Sequence, residues 1–142
     1  MKVVVIDAQG GRIGRQLVAE IKKSGLAAEL VAVGTNSAAT AAMLAAGADA
    51  AATGENAVAV ACRTADFILG PVGIAIADSM LGEITPRMAA AVGQSAAQRI
   101  LIPFDNCGNV IVGASLLPVS KRIRAAAELL LEAAGKDAAH GQ

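Results

Sequence analysis

The sequence predicts a three-layer α/β domain built on a mostly parallel sheet. Short apolar runs alternate with helical patterns of about ten residues along most of the chain. This alternation favours parallel strands joined by right-handed helical crossovers. Turns rich in glycine and small polar residues follow several of the predicted strands, as expected where ligand-binding loops meet at one edge of a sheet. The length of 142 residues leaves room for one such domain and for no separate substrate domain.

The first strand and the turn after it form the predicted ligand-binding end. An apolar run over residues 3–6 ends at Asp7, and a glycine-rich turn over residues 9–14 then leads into a helix over residues 12–24. The order of strand, glycine turn and helix start is typical of sites that surround a phosphate with backbone N–H groups.

The next elements follow from apolar runs and capping residues. Residues 30–33 form the second strand, and Asn36 or Ser37 caps a helix of small residues that Gly47 ends. A third strand near residues 48–52 precedes a cap-like turn and a short helix that ends at Arg63.

The second half of the chain repeats this pattern. Residues 66–69 form the fourth strand, and the nearly all-apolar residues 74–81 predict a helix that is buried on most sides or forms an interface. Thr85 and Pro86 begin a further helix. The remaining predicted elements are a fifth strand over 100–104, a short antiparallel edge strand over 110–112 and an amphipathic helix over 118–134 that Gly135 ends.

These elements predict a Rossmann-like sheet with the strand order 3-2-1-4-5 over residues 1–135, followed by a flexible tail over 136–142. Ligands bind such sheets at the carboxyl edge, where the strand order reverses. Three turns should therefore converge around one crevice. Their candidate ligand-binding residues are Gln9, Gly10, Gly11, Arg12, Ile13, Gly14, Gly34, Thr35, Asn36, Gly70, Pro71 and Gly73.

Composition excludes several classes of function. Basic and acidic residues number 12 each, so charge gives no reason to expect a nucleic-acid or membrane partner. A single histidine and two cysteines without metal-ligand spacing predict no metal site built on histidine or cysteine. No export signal follows Met1, and we expect a cytoplasmic protein with reduced thiols.

The first turn departs from the dinucleotide fingerprint. Gln9 replaces the first glycine of the G-x-G-x-x-G pattern, and the second strand ends at Gly34 without the acidic residue that binds ribose in NAD proteins. The cofactor therefore stays open between NAD(P), another nucleotide and a different phosphate-bearing ligand. The alternative is that the glycines serve only to let helices pack closely on the sheet.

Several segments together resemble a bacterial family known as domain of unknown function 3842. They are VIDAQGGRIG (residues 5–14), GTN (34–36), ATGEN (52–56), GPVG (70–73), SMLGEITP (79–86) and ILIP (100–103). The resemblance implies an α/β protein and names no activity. The first turn of that family resembles the Gly-x-x-x-Gly-x-Gly turn of short-chain dehydrogenases, but this chain has Ala8 and Arg12 at two of the glycine positions. A guanidinium at Arg12 could itself hold a phosphate.

Acidic residues near strand ends supply the candidates for chemistry. Asp7, Glu55 and Asp105 are candidate catalytic groups, with Glu83 as a further acid, and Asp7 and Asp105 together could hold Mg²⁺. Each could equally cap a turn or a helix. Because the chain contains no tyrosine, hydride transfer by the Tyr–Lys mechanism of short-chain dehydrogenases is excluded.

Three functional hypotheses remain. The first is a protein that binds a nucleotide or another small anionic ligand at the sheet edge. The second is a small carboxylate- or Mg²⁺-dependent enzyme acting on a phosphorylated metabolite, and the third is an oligomeric scaffold without a ligand. We also expect a homo-oligomer, with residues 74–81 or the leucine-rich last helix at the interface.

Overall fold

A five-stranded parallel sheet with helices on both faces forms the body of the computed structural model, which describes residues 1–104 and 108–141. The strand order is β3-β2-β1-β4-β5, so the predicted order is confirmed. The strands are β1 Lys2–Asp7, β2 Glu29–Gly34, β3 Ala50–Thr53, β4 Phe67–Pro71 and β5 Gln98–Ile102. The helices are α1 Arg12–Lys23, α2 Ser37–Ala45, α3 Glu55–Thr64, α4 Pro86–Gln94 and α5 Val119–His140.

Alternate side chains of β1 divide the core into two halves. Val3 and Val5 pack with α1, α2 and α5 on one face of the sheet. Val4 and Ile6 pack with α3 and α4 on the other face. Because both faces of this central strand are covered, it consists of consecutive buried apolar residues, as is usual in parallel sheets.

Side-chain caps begin two of the helices as the sequence predicts. Asn36 Oδ1 accepts the backbone N–H of Ala39 at 2.9 Å, and Thr85 Oγ1 accepts that of Met88 at 3.1 Å. Pro86 occupies the first turn of α4, where a missing N–H loses no helical hydrogen bond. These caps hold the carboxyl edge of the sheet in a defined arrangement.

Residues 74–81 do not form the predicted helix. A short 3-10 turn, Val72–Ala75, is followed by tight turns in which Asp78, Met80 and Leu81 have positive φ. Ile74 and Met80 are buried in the core, while Leu81 is 92% exposed. The apolar composition therefore reflects the anchoring of an irregular strap, residues 76–84, in the core, and the prediction of a helix over residues 74–81 was wrong.

Two further predictions concern the C-terminal part of the chain. Residues 110–112 form no strand, and every strand pairing in the described residues is parallel, so the antiparallel edge strand is absent there. Helix α5 continues through Gly135 to His140, although its last buried residue is Ala134 and residues 135–140 are exposed. A single glycine costs a helix only about 1 kcal/mol and does not by itself end it.

The structure also describes one of the two cysteines and the length and polarity of the helices. Cys62 is a free, buried thiol, and burial raises its pKa to about 11. Asp105, Asn106 and Cys107 lie outside the described residues. Within the described ranges, none of the helices is both long and apolar enough to cross a membrane.

Candidate ligand-binding site

The carboxylate of Asp7 organises the turn that follows β1. Asp7 Oδ1 accepts the backbone N–H of Ala8 at 2.8 Å, and Oδ2 accepts that of Gly14 at 2.7 Å. Burial raises the pKa of Asp7 above its ordinary value, although its backbone hydrogen bonds lower it. The carboxylate of Asp7 thus already lies at the first turn of α1, and each of its two oxygens accepts a backbone hydrogen bond.

Glu83 joins the turns after β1 and β2 from a third loop. Its Oε1 accepts the backbone N–H of Gln9 at 3.0 Å, the hydroxyl of Thr35 at 2.7 Å and the amide of Asn36 at 2.7 Å. Burial raises the pKa of Glu83, but these hydrogen bonds outweigh it and hold the pKa below its ordinary value. The ionised carboxylate of Glu83 therefore links the turns on the β2 side of the crevice.

The peptide group between Gln9 and Gly10 is held in one orientation. Asn36 Nδ2 donates to the carbonyl oxygen of Gln9 at 2.9 Å, and Glu83 fixes the preceding peptide group by accepting the N–H of Gln9. Gln9 has a left-handed φ of 52° in this arrangement. Because carbonyl and N–H point in opposite directions across a trans peptide, the N–H of Gly10 is directed away from Asn36 and β2. No acceptor for this N–H occurs among the described residues.

A pocket of about 220 Å³ lies on the other side of the same turn. Its walls include Gly10, Arg12, Pro71, Met80 and Phe104. The Arg12 side chain is exposed, and within residues 1–104 and 108–141 it makes no hydrogen bond or ion pair. The pocket thus combines apolar side chains with the buried, hydrogen-bonded carboxylate of Asp7, one unpaired guanidinium and one unpaired backbone N–H.

The glycines around the crevice divide into two groups. A Cβ on Gly11 would lie 2.8 Å from the Cα of Ala39, and one on Gly14 would lie 2.8 Å from the Cβ of Asp7. A Cβ on Gly34 would collide with Thr40, and one on Gly70 with the carbonyl oxygen of Ile6. These four glycines are required for close packing.

Gly10 belongs to the second group. A Cβ added at Gly10 would meet no atom within 4 Å, and the residue lies on the pocket wall. Gly10 is therefore the glycine of the turn whose small size leaves space that a ligand could occupy.

The structure places the other candidate residues as follows. Thr35 and Asn36 bind Glu83, Pro71 reaches the pocket, and Gly73 is buried against Ser79 and Met80. Glu55 contacts α4 instead of the glycine turn. Hydrogen bonds from Thr85 and Arg87 lower its pKa, and the Arg87 guanidinium lies 3.2 Å from its carboxylate.

The proposed Mg²⁺ pair cannot be completed from the described residues, because Asp105 lies outside them. In those residues no group of three or more histidine, cysteine, aspartate or glutamate side chains is arranged to hold a metal. Met80 and Phe104 are pocket residues that sequence reasoning missed. Phe104 could have been found from its place just after β5, whereas Met80 belongs to the strap that was predicted to be a helix.

Fold and site together define a Rossmann-like α/β protein with a small pocket at the point where the strand order reverses. The chain belongs to the family described as Domain of unknown function (DUF3842), whose sequence model matches residues 2–135. This confirms the resemblance seen in the motifs. No curated protein matches the chain.

Among solved structures, the chain is similar to a dodecameric FMN-dependent UbiX-like decarboxylase from Escherichia coli O157:H7. The two share 19% sequence identity over 89% of this chain and 74% of that chain, with a TM-score of 0.48.

Proposed function

We propose that the protein binds a compact phosphate-bearing metabolite, such as a sugar phosphate or a mononucleotide, in the pocket beside the first turn. The observation that carries this proposal is the unpaired, exposed guanidinium of Arg12 next to the free N–H of Gly10. Arginine and backbone N–H groups are the usual donors to phosphate oxygens.

The size of the pocket favours a compact ligand. Its volume of about 220 Å³ is below the range of about 300–1,000 Å³ that is common for pockets holding drug-sized ligands. A dinucleotide extended toward the end of β2 would also have to displace Glu83 from Gln9, Thr35 and Asn36. The apolar side chains of Met80 and Phe104 would contact the non-phosphate part of the ligand.

The charge distribution favours an anion bound by Arg12 over one bound on the axis of α1. Asp7 already accepts the N–H of Gly14 at the start of that helix, and its charge would repel a phosphate there. Arg12 begins α1, yet its side chain reaches the solvent-facing wall of the pocket. The phosphate would therefore lie beside Gly10, on the β4 side of the turn.

A thermal-shift panel followed by calorimetry tests the proposal. The panel contains inorganic phosphate, sugar phosphates, nucleoside monophosphates, FMN, NAD and NADP. A ligand at 100 times its Kd should stabilise the protein by about 2.7 kcal/mol. We expect a compact phosphate ester to stabilise the protein more than NAD or NADP.

Gly10→Val is the variant that separates binding from folding, because Gly10 lies on the pocket wall and an added Cβ would meet no atom within 4 Å. The matched control is Gly93→Val in α4, where an added Cβ also meets no atom within 4 Å. Both variants should fold, and only Gly10→Val should lose the ligand. A panel without any stabilising compound, or equal binding by both variants, would refute the proposed function.

A further inference from the structure

The β5 edge of the sheet carries an apolar groove. In the described part of the chain, β5 pairs with β4 on one side only. Beside this edge, a groove of about 460 Å³ runs between β5, residues 113–117 and α5. Leu116 is 81% exposed and Leu129 is 53% exposed at its rim. Large exposed leucines beside an unpaired strand edge are typical of a surface that another chain covers.

One stripe of α5 borders this groove and carries a self-complementary pattern. Arg122, Ala125, Leu129 and Glu132 follow one another at spacings of three, four and three residues, which places them along one face of the helix. A basic residue begins the stripe and an acidic residue ends it, with a small and a large apolar residue between them. A helix with this pattern is complementary to its own antiparallel copy.

We propose that a second copy of this chain covers the groove, with α5 packed antiparallel on the partner's α5 around a two-fold axis. Under two-fold symmetry, if a residue of one chain contacts a second residue of the partner, the same contact is made with the two chains exchanged. In the register that we propose, Leu129 lies against the partner's Ala125 and enters the partner's groove. The same register places Arg122 opposite the partner's Glu132 at both ends of the contact.

Charge selects this register over its neighbour. If Leu129 instead lay against the partner's Leu129, Arg122 would lie opposite the partner's Lys136, and two like charges would meet. The proposed register also sets the small side chain of Ala125 against the large side chain of the partner's Leu129, so the helices can approach closely.

The side chain of Arg122 is already ordered by contacts within its own chain. Its Nε donates to the carbonyl oxygen of Leu117 at 2.7 Å, and its Nη1 donates to that of Pro103 at 3.1 Å. The guanidinium also lies 5.4 Å from the centre of the Phe104 ring. A side chain ordered before association loses little further conformational freedom when it binds. No acceptor for Nη2 is found within the described residues, so Nη2 is left to bind the partner's Glu132 in the proposed register.

Light scattering after size-exclusion chromatography, with sedimentation equilibrium of the full chain, tests this interface. The wild-type protein should have at least twice the 14.1 kDa mass of one chain at micromolar concentration. Leu129→Arg should give monomers or weaken association at least about tenfold, because it places a charge in the apolar groove. Leu131→Arg is the matched control, since Leu131 is also exposed but lies on the side of α5 that faces α1.

A charge reversal tests the register. Glu132→Arg should weaken association because it meets the partner's Arg122, and Arg122→Glu in the same chain should restore it. Circular dichroism and thermal unfolding would check that each variant folds. A wild-type protein that stays monomeric would overturn the proposal. An oligomer that Leu129→Arg leaves intact, or equal effects of Leu129→Arg and Leu131→Arg, would do so as well.

Discussion

The two sides of the turn after β1 use their polar groups differently. On the β2 side, Glu83 accepts three hydrogen bonds and leaves Gln9, Thr35 and Asn36 satisfied within the protein. On the β4 side, Arg12 and the N–H of Gly10 have no partner in the described chain, and a pocket lies beside them. The satisfied side is built to hold the loops together, and the unsatisfied side is the one available to a ligand.

The glycines of the crevice also differ between a packing role and an open position. Gly11, Gly14, Gly34 and Gly70 each lie against atoms that an added Cβ would strike, whereas Gly10 faces open space. Most glycines of this turn therefore serve the packing of the fold, and under the proposed function only Gly10 leaves room for a ligand. Substitutions on the two sides should consequently affect different quantities.

Glycine substitutions should have the largest effect on stability. Gly70→Ala should lower the free energy of unfolding by about 3 kcal/mol or more, because its Cβ would meet the backbone carbonyl of Ile6 in the middle of the sheet. Gly10→Ala should change it by less than about 0.5 kcal/mol. Urea unfolding of both variants measures the difference, and similar midpoints would contradict it.

Removal of the Glu83 bridge should have a smaller effect. Glu83→Ala should destabilise the protein by about 1–2 kcal/mol, since hydrogen bonds from Gln9, Thr35 and Asn36 to a charged acceptor are lost. Glu83→Gln keeps a carbonyl acceptor and should recover part of the loss. Urea unfolding measures both variants. An alanine variant as stable as the wild type would show that the bridge contributes nothing.

Loss of the Arg12 charge should affect binding and leave stability nearly unchanged. Arg12→Gln should weaken the best ligand of the panel by about tenfold or more, because a charge-assisted hydrogen bond is lost. Arg15→Gln is the control, since Arg15 is exposed on the same helix and does not line the pocket. Calorimetry with both variants gives the comparison, and equal affinities would remove Arg12 from the site.

The pH dependence of stability should show the smallest effect. The folded pKa of Glu83 lies below its ordinary value of 4.5, so its contribution is present above that value and is lost as the pH falls through the folded pKa. Glu83→Gln should lack this part of the acid destabilisation. Unfolding curves from pH 6 down to pH 3 measure it, and identical profiles for the two proteins would contradict the assignment of the pKa.

Much of the fold follows from local patterns in the chain. The apolar runs of β1, β2 and β4, the capping residues Asn36 and Thr85 and the turns between elements are local features, and they predict these elements correctly. The strand order 3-2-1-4-5 is that of the Rossmann pattern, and the sheet confirms it. The strap over residues 76–84 could not be predicted in this way. Its apolar residues have no clear period, and its turns depend on positive φ at Asp78, Met80 and Leu81.

The sequence by itself determined that strands alternate with helices and therefore that the sheet is parallel, with the turns after its strands at one edge, because right-handed crossovers return each strand in the same direction. It also marked Arg12 as the cation of the first turn. Only the tertiary structure decided that Glu83 closes the β2 side and that Gly10, unlike Gly11 and Gly14, has open space where a Cβ would lie. Those facts depend on contacts between residues far apart in the chain, and no local pattern encodes such contacts.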